Sequence, residues 1–197
     1  MARRLVEEEE RRALILSSAW KVLIERGYAA ARVADIARLS GTSTGTVHYY
    51  FPTKEDVLDQ ALRYAADRAF DRHHRMLSEL TDPAERLRRL VELQIPDRTV
   101  RDEWTIWLEF WNEANRREPL RASHAAIYHR WRALIVQLVQ EGQDQRLFAA
   151  ELDVDDITEE FIALVDGLGL HILLEPGEAA RERMRRILFR MIDGLRA

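Results

Sequence analysis

The 197-residue chain has no cysteine, which excludes disulfides, thiolate zinc sites and cysteine nucleophiles and suits a reducing compartment. Proline and glycine are scarce, five and eight residues, which leans toward an all-helical chain. Val/Ile/Thr-rich alternating stretches bounded by turn residues are missing, so strands are not expected. The longest apolar runs are a few residues, far short of the ~20 that a membrane helix needs. Met1 to Glu10 holds Arg3, Arg4 and then four glutamates, with no apolar signal-peptide core. What is present is 47% hydrophobic residues, enough for a core, and 32% charged residues. The expectation is a soluble, cytoplasmic protein with no membrane contact.

Charge is distributed unevenly. Residues 1–54 hold nine Lys and Arg against six Asp and Glu, and the rest of the chain holds 21 against 28. A basic head on an acidic body suggests that the head meets a polyanion and the body does something else.

Helical periodicity runs through the whole chain. Leu16, Ala19, Trp20 and Leu23 recur at three- and four-residue steps, and Gly27 reads as a stop. Val33, Ile36 and Ala37 mark a short helix ending near Gly41, and Ser43 can cap another that Pro52 ends. Thr53 and Asp56 form a capping box before a long helix, and Asp82-Pro83 opens the next. Pro96 to Arg101 is a break. A Trp-rich helix over Asp102 to Arg116 follows, then one from Pro119, a loop over Glu141 to Gln145, and two last helices separated by Pro176-Gly177. The count is nine, in an all-α fold.

The informative stretch is Val33 to Phe51. A short helix, a turn at Gly41 and a second short capped helix have the proportions of a DNA-binding helix-turn-helix. Val47 and Phe51 share a face and would pack inward, leaving Thr44, Gly45, His48 and Tyr49 outward. Backbone N–H groups at Ser43 to Thr46 are placed to bind a phosphate, and Gly45 lets the backbone approach closely.

These residues resemble the TetR family of transcriptional regulators. The resemblance covers roughly Leu14 to Leu62: Glu25-Arg26-Gly27-Tyr28, Val33-x-x-Ile36-Ala37, Gly41-x-Ser43-x-Gly45-Thr46-Val47 and Tyr50-Phe51-Pro52-x-Lys54-Glu55. It implies a three-helix DNA-binding domain over residues 1–54 and a helical ligand-binding and dimerisation domain over 55–197. It also implies that the third helix enters the major groove, with Thr44, Thr46, His48 and Tyr49 as contacts, and that Lys54 meets the DNA backbone. Arg32, Thr42, Ser43, Gly45 and Tyr50 complete the expected DNA-binding set. Two departures stand out: Arg32 occupies the position of a capping Ser or Thr, and His48 replaces a common tyrosine.

In the body, Trp104, Trp107, Phe110 and Trp111 crowd one helix. The pattern Trp107-Leu-Glu-Phe-Trp-Asn-Glu-Ala114 with Pro119-Leu120 is similar to the branch that includes the choline-responsive betaine-synthesis repressors. That resemblance implies a small-molecule inducer site lined by these rings and by Trp131. Aromatic faces do attract quaternary ammonium groups, although rings at helical spacing commonly form core instead. The resemblance further implies a four-helix dimer seam from the last two helices, with Phe161, Leu164, Gly167, Leu168, His171, Ile187 and Met191. Two amphipathic C-terminal helices must in any case bury their faces somewhere.

No catalytic constellation, phosphate-cradling glycine loop or cofactor motif is present, and the spacings of His73-His74 and of His124 with His129 suit no metal. The reading is a homodimeric regulator of double-stranded DNA, released from a palindromic operator by an inducer. The alternative is a helical protein–protein adaptor whose N-terminal domain does not read DNA.

Overall fold

The structure, a computed structural model, describes residues 2–97 and 100–196, with side chains from residue 6 onward. The side chains of Arg3 and Arg4, and Arg98 and Thr99 within the expected break, lie outside the described residues. The described residues form nine helices: α1 (Ala2–Ala30), α2 (Val33–Leu39), α3 (Thr44–Tyr50), α4 (Lys54–Ser78), α5 (Pro83–Gln94), α6 (Arg101–Ala114), α7 (Glu118–Asp144), α8 (Val154–Leu174) and α9 (Glu178–Asp193). None of them is long and apolar enough to cross a membrane. They form two compact units, one of Met1–Ala69 with Thr105–His124, the other of Phe70–Trp104 with Ala125–Ala197.

In the first unit α1 packs on α2, and α2 on α3. Ile15, Leu23, Ile36, Val47 and Phe51 are fully buried there. Burying each such side chain contributes roughly 1.5–3 kcal/mol, which is enough to hold helices as short as α2 and α3 that would not persist alone. Gly27 interrupts the helical path of α1 where the sequence suggests a stop, at φ 74° and ψ 170°. One further turn, Tyr28 to Ala30, follows the interruption. Gly41 takes φ 64° between α2 and α3, and Thr42 N–H donates to the Ala37 carbonyl at 2.9 Å, closing the turn.

In the second unit α8 packs on α9, and both pack on α5. Leu87, Leu90 and Val91 of α5, Ile162 and Val165 of α8, and Met184, Leu188 and Ile192 of α9 are buried. Arg185 of α9 ties this face to Glu92 of α5 at 2.5 and 2.9 Å, and Arg88 pairs with Asp193. Phe161, expected at a dimer seam, is 1% exposed within its own chain. It is core here, because its position on α8 faces inward with Ile162 and Val165.

One expected loop is helix. The polar run from Glu141 to Gln145 continues α7 as far as Asp144. Glu141 pairs with Arg86 and accepts from Gln137 at 2.7 Å, so its polarity is used inside the fold. Phe148 folds back against helical Gly142, where a Cβ would overlap its ring. The Gly142 carbonyl accepts from Leu147 and Phe148 N–H at 2.9 and 3.1 Å, which ends the helix. An isolated antiparallel bridge between Phe148 and Arg196 then ties this corner to the chain's last residues.

Candidate functional site

The α3 face is built by local rules. Ser43 is the N-cap: its Oγ accepts the Thr46 N–H at 3.0 Å and lies 2.9 Å from Thr46 Oγ1. Thr46 N–H, expected among the phosphate-binding amides, is therefore already committed to the cap. Thr53 and Asp56 make the expected reciprocal box at the start of α4, at 3.0 and 3.1 Å. With Val47 and Phe51 fully buried, Thr44, Gly45, His48 and Tyr49 are exposed, Tyr49 to 74%. Most of the Tyr49 ring therefore faces water rather than the core. Tyr50 is half-buried and meets the Tyr49 ring edge-on at 5.1 Å. His48 Nδ1 lies 3.1 Å from the Pro52 carbonyl, which can only accept, so Nδ1 donates and the ring is held in one orientation.

The flanking residues are more mixed. Arg32 is exposed at the N-cap of α2 and makes no side-chain cap, as the missing Ser or Thr implies. Thr42 is half-buried and Ser43 exposed. Lys54 is half-buried and donates its ammonium to the Ala29 carbonyl at 3.0 Å, neutralising the end of α1. Its expected role at a phosphate has to compete with that bond or share the ammonium with it.

Behind this face the first unit contains a connection that the sequence does not announce. The Glu109 carboxylate of α6 accepts the Tyr28 N–H at 2.6 Å, and a Cβ on Gly27 would come within 2.8 Å of both its oxygens. The left-handed φ of 74° favours glycine there, and a Cβ would also make the Glu109 carboxylate move. Arg117 reaches the Tyr28 hydroxyl at 3.4 Å and Glu55 at 3.8 Å. Burial pushes the Tyr28 hydroxyl up to about 12, with Arg117 opposing.

The five aromatic residues expected to line one inducer site do not fall in one unit. Trp107, Phe110 and Trp111 belong to the first, Trp104 and Trp131 to the second. Phe110 is buried, with Trp107 edge-on at 5.7 Å and His124 at 6.1 Å. Trp104 is buried, donates its indole N–H to the Gln94 carbonyl at 2.9 Å, and lies against Gly169, where a Cβ would overlap the indole. Trp131 is half-buried, 6.4 Å from Phe70 and 5.8 Å from His73. His73 is buried in this group beside Gln94. The sequence's signal for that burial is register: His73 stands four residues before buried Leu77 on the inner stripe of α4.

On α8 and α9, Gly167 and His171 are exposed, and Leu164, Leu168, Ile187 and Met191 half-buried. Leu174, at the end of α8, is 69% exposed. Nothing in the chain comes within 4 Å of a Cβ built on Gly167. Among the described residues no group of three His, Asp or Glu side chains is placed to hold a metal ion.

A capped seven-residue helix, turned outward by two buried anchors and covered with hydroxyls and rings, follows a left-handed glycine turn. Together they define an all-helical DNA-binding protein of the helix-turn-helix class. The description "Bacterial regulatory proteins, tetR family" matches residues 15–71, and "BetI-type transcriptional repressor, C-terminal" matches residues 83–197. The chain belongs to the TetR family of transcriptional regulators, in its BetI-type branch. It is 28% identical over 193 residues to the regulator PksA of Bacillus subtilis, covering 96% of this chain and 92% of PksA. It is 28% identical over 163 residues to the regulator BetI of Rhizobium meliloti, covering 82% of this chain and 77% of BetI. A regulator from Saccharomonospora viridis, solved in complex with choline, is 39% identical and superimposes with a TM-score of 0.83 over 94% of this chain and 96% of its own.

Proposed function

We propose that the chain is a homodimeric repressor that binds a palindromic operator in double-stranded DNA and leaves it when a small organic cation of the choline kind binds the body. Residues 1–54 read DNA, and residues 55–197 bind the inducer and dimerise. Thr44, Thr46, His48, Tyr49 and Tyr50 meet the major groove, while Arg32, Thr42, Ser43, Gly45 and Lys54 hold the phosphates. The observation that carries this reading is the open face of α3, with Tyr49 74% exposed beside His48, on a helix otherwise anchored by Val47 and Phe51.

Dimerisation is supported by α8 and α9, where Leu164, Leu168, Ile187 and Met191 are half-buried, Gly167 is exposed and Leu174 is 69% exposed, a partly open apolar strip in the single chain. Two copies match a palindrome whose half-sites recur about every 34 Å. The 39% identical relative bound to choline supports the inducer class, and Trp107 and Trp111, which share one unit, offer half-buried rings for it. The inducer acts by binding the form that does not fit the operator better than the form that does. No enzymatic activity is assigned, and the site of action is the cytoplasm. Gel shifts on the DNA upstream of the protein's own gene, with and without choline, test the proposal: a specific shift reversed by choline is expected. Failure to bind that DNA or any selected sequence would favour a protein–protein adaptor.

A further inference from the structure

The break at Gly27 leaves a short corner, Tyr28 to Arg32, between the main run of α1 and the start of α2. Arg32 there is exposed and extended, at φ −127° and ψ 142°, and its side chain makes no cap bond. The corner's backbone is gripped by residues far away in sequence. Glu109, 81 residues on in α6, accepts the Tyr28 N–H at 2.6 Å, shorter than the ~2.9 Å of a neutral N–H···O bond, as suits a charged acceptor. Lys54 donates to the Ala29 carbonyl at 3.0 Å, and Arg117 reaches the Tyr28 hydroxyl at 3.4 Å. Arg26 and Asp35 also bridge α1 and α2 at 3.4 Å. All of these residues belong to the first unit.

The ties are unequal. Those of Arg26 and Arg117 join partly exposed side chains, where such pairs contribute little. Lys54 and Glu109 hold the backbone itself, and Tyr28 is 5% exposed, so water does not readily replace a lost acceptor at its N–H. Once a phosphate draws on the Lys54 ammonium, the Ala29 bond is shared or given up. Glu109 is then the chief hold on the corner. The sequence-reading helix α3 is anchored separately, by Val47 and Phe51.

Resting on the phosphate roles given above to Arg32 and Lys54, we infer that Glu109 is a positioning residue for DNA binding. It touches no DNA, and holds the corner so that Arg32 and Lys54 meet the phosphates. The salt-dependent share of the affinity therefore depends on a carboxylate of α6, although a negative charge by itself would only repel DNA.

The test is the salt dependence of affinity for a random-sequence duplex, read by fluorescence anisotropy on the full-length protein, which requires neither the operator nor the inducer. The double variant Arg32→Ala, Lys54→Ala calibrates the phosphate contacts: the slope of log affinity against log salt should shrink by roughly 0.9 for each one lost. Glu109→Ala should shrink it by a similar amount. Glu109→Gln, which keeps an acceptor oxygen, should retain the wild-type slope. Added to the double variant, Glu109→Ala should change the slope no further. Should Glu109→Ala not fold, Glu109→Asp, whose oxygens fall one methylene short, should give a slope between the wild type and the double variant. A wild-type slope in whichever of these two folds, a fall in Glu109→Gln equal to that in Glu109→Ala, or a further fall in the double-variant background would overturn the role of Glu109 and leave the phosphate contacts standing. A double variant with the wild-type slope would overturn both.

Discussion

His48 and His73 show the same side chain in two opposite settings. On the open face of α3, His48 gives one nitrogen to the Pro52 carbonyl and needs nothing more, because water serves whatever else the ring presents. Inside the second unit, His73 has one weak neighbour in Gln94 and an Nδ1 with none. Outside, an unmatched polar atom carries no information. Inside, it is a cost that the surrounding packing has to outweigh. On the proposed reading the outer face of α3 is left open for a large polyanion, whereas the interior around His73 is closed by the chain's own packing. Substitutions in the two regions should separate cleanly into effects on DNA binding and effects on stability.

The largest expected effect is interior. Trp104→Ala removes a buried indole, its bond to Gln94 and its contact with Gly169, and should lower stability by about 3–5 kcal/mol in a thermal melt. Tyr49→Ala, on the exposed face, should shift the same melt by less than about 0.5 kcal/mol. Equal melts for the two variants would break the distinction.

Next comes pH. The buried His73 titrates near 4 and an unfolded histidine near 6.5. The stability of the neutral form is therefore fully present above about pH 6.5 and is lost as pH falls toward 4, where the unfolded chain takes up a proton that the folded one does not. His73→Phe should remove that loss. The wild-type and variant stability curves should diverge by on the order of 3 kcal/mol across this window. Asp166, which burial pushes up to about 6, tilts both curves equally and cancels in the difference.

These contrasts also show what was legible in the residues. The parts set by neighbours in sequence were readable: the inward pair Val47 and Phe51, the Ser43 cap, the Thr53–Asp56 box, the break at Gly27 and the Asp82-Pro83 start. The parts set by distant partners were not. Glu141 looked like loop because its partner Arg86 is 55 residues away. Lys54 looked free for DNA because the Ala29 carbonyl reaches it only after α1 and α4 are folded. Glu109 carries no local sign that it receives Tyr28, and Phe161 reads like any other apolar residue of α8. The five aromatic residues shared a composition without sharing a compact unit.

Assembly gives a third contrast. A side chain at Gly167 meets nothing in its own chain, so Gly167→Leu should leave the fold intact. At a close helix seam between two copies it should cost about 1–3 kcal/mol. Sedimentation should show a well-folded monomer with weak operator binding, whereas a stable dimer would move the seam elsewhere. The smallest effect concerns Lys54→Ala, which loses the bond to Ala29 and about 1 kcal/mol of stability. If the ammonium also meets a phosphate, the salt slope of DNA binding should shrink by roughly 0.9. An unchanged slope would restrict Lys54 to holding the end of α1.

The most direct measurement is the ratio of affinities for operator and scrambled duplex, read by fluorescence anisotropy for the wild type and Tyr49→Ala. If the α3 face reads sequence, the wild type should prefer the operator strongly. Tyr49→Ala should then lose about 1–3 kcal/mol of that preference while binding the scrambled duplex as before. A Tyr49→Ala protein that discriminates as well as the wild type would contradict the assignment of this face to DNA.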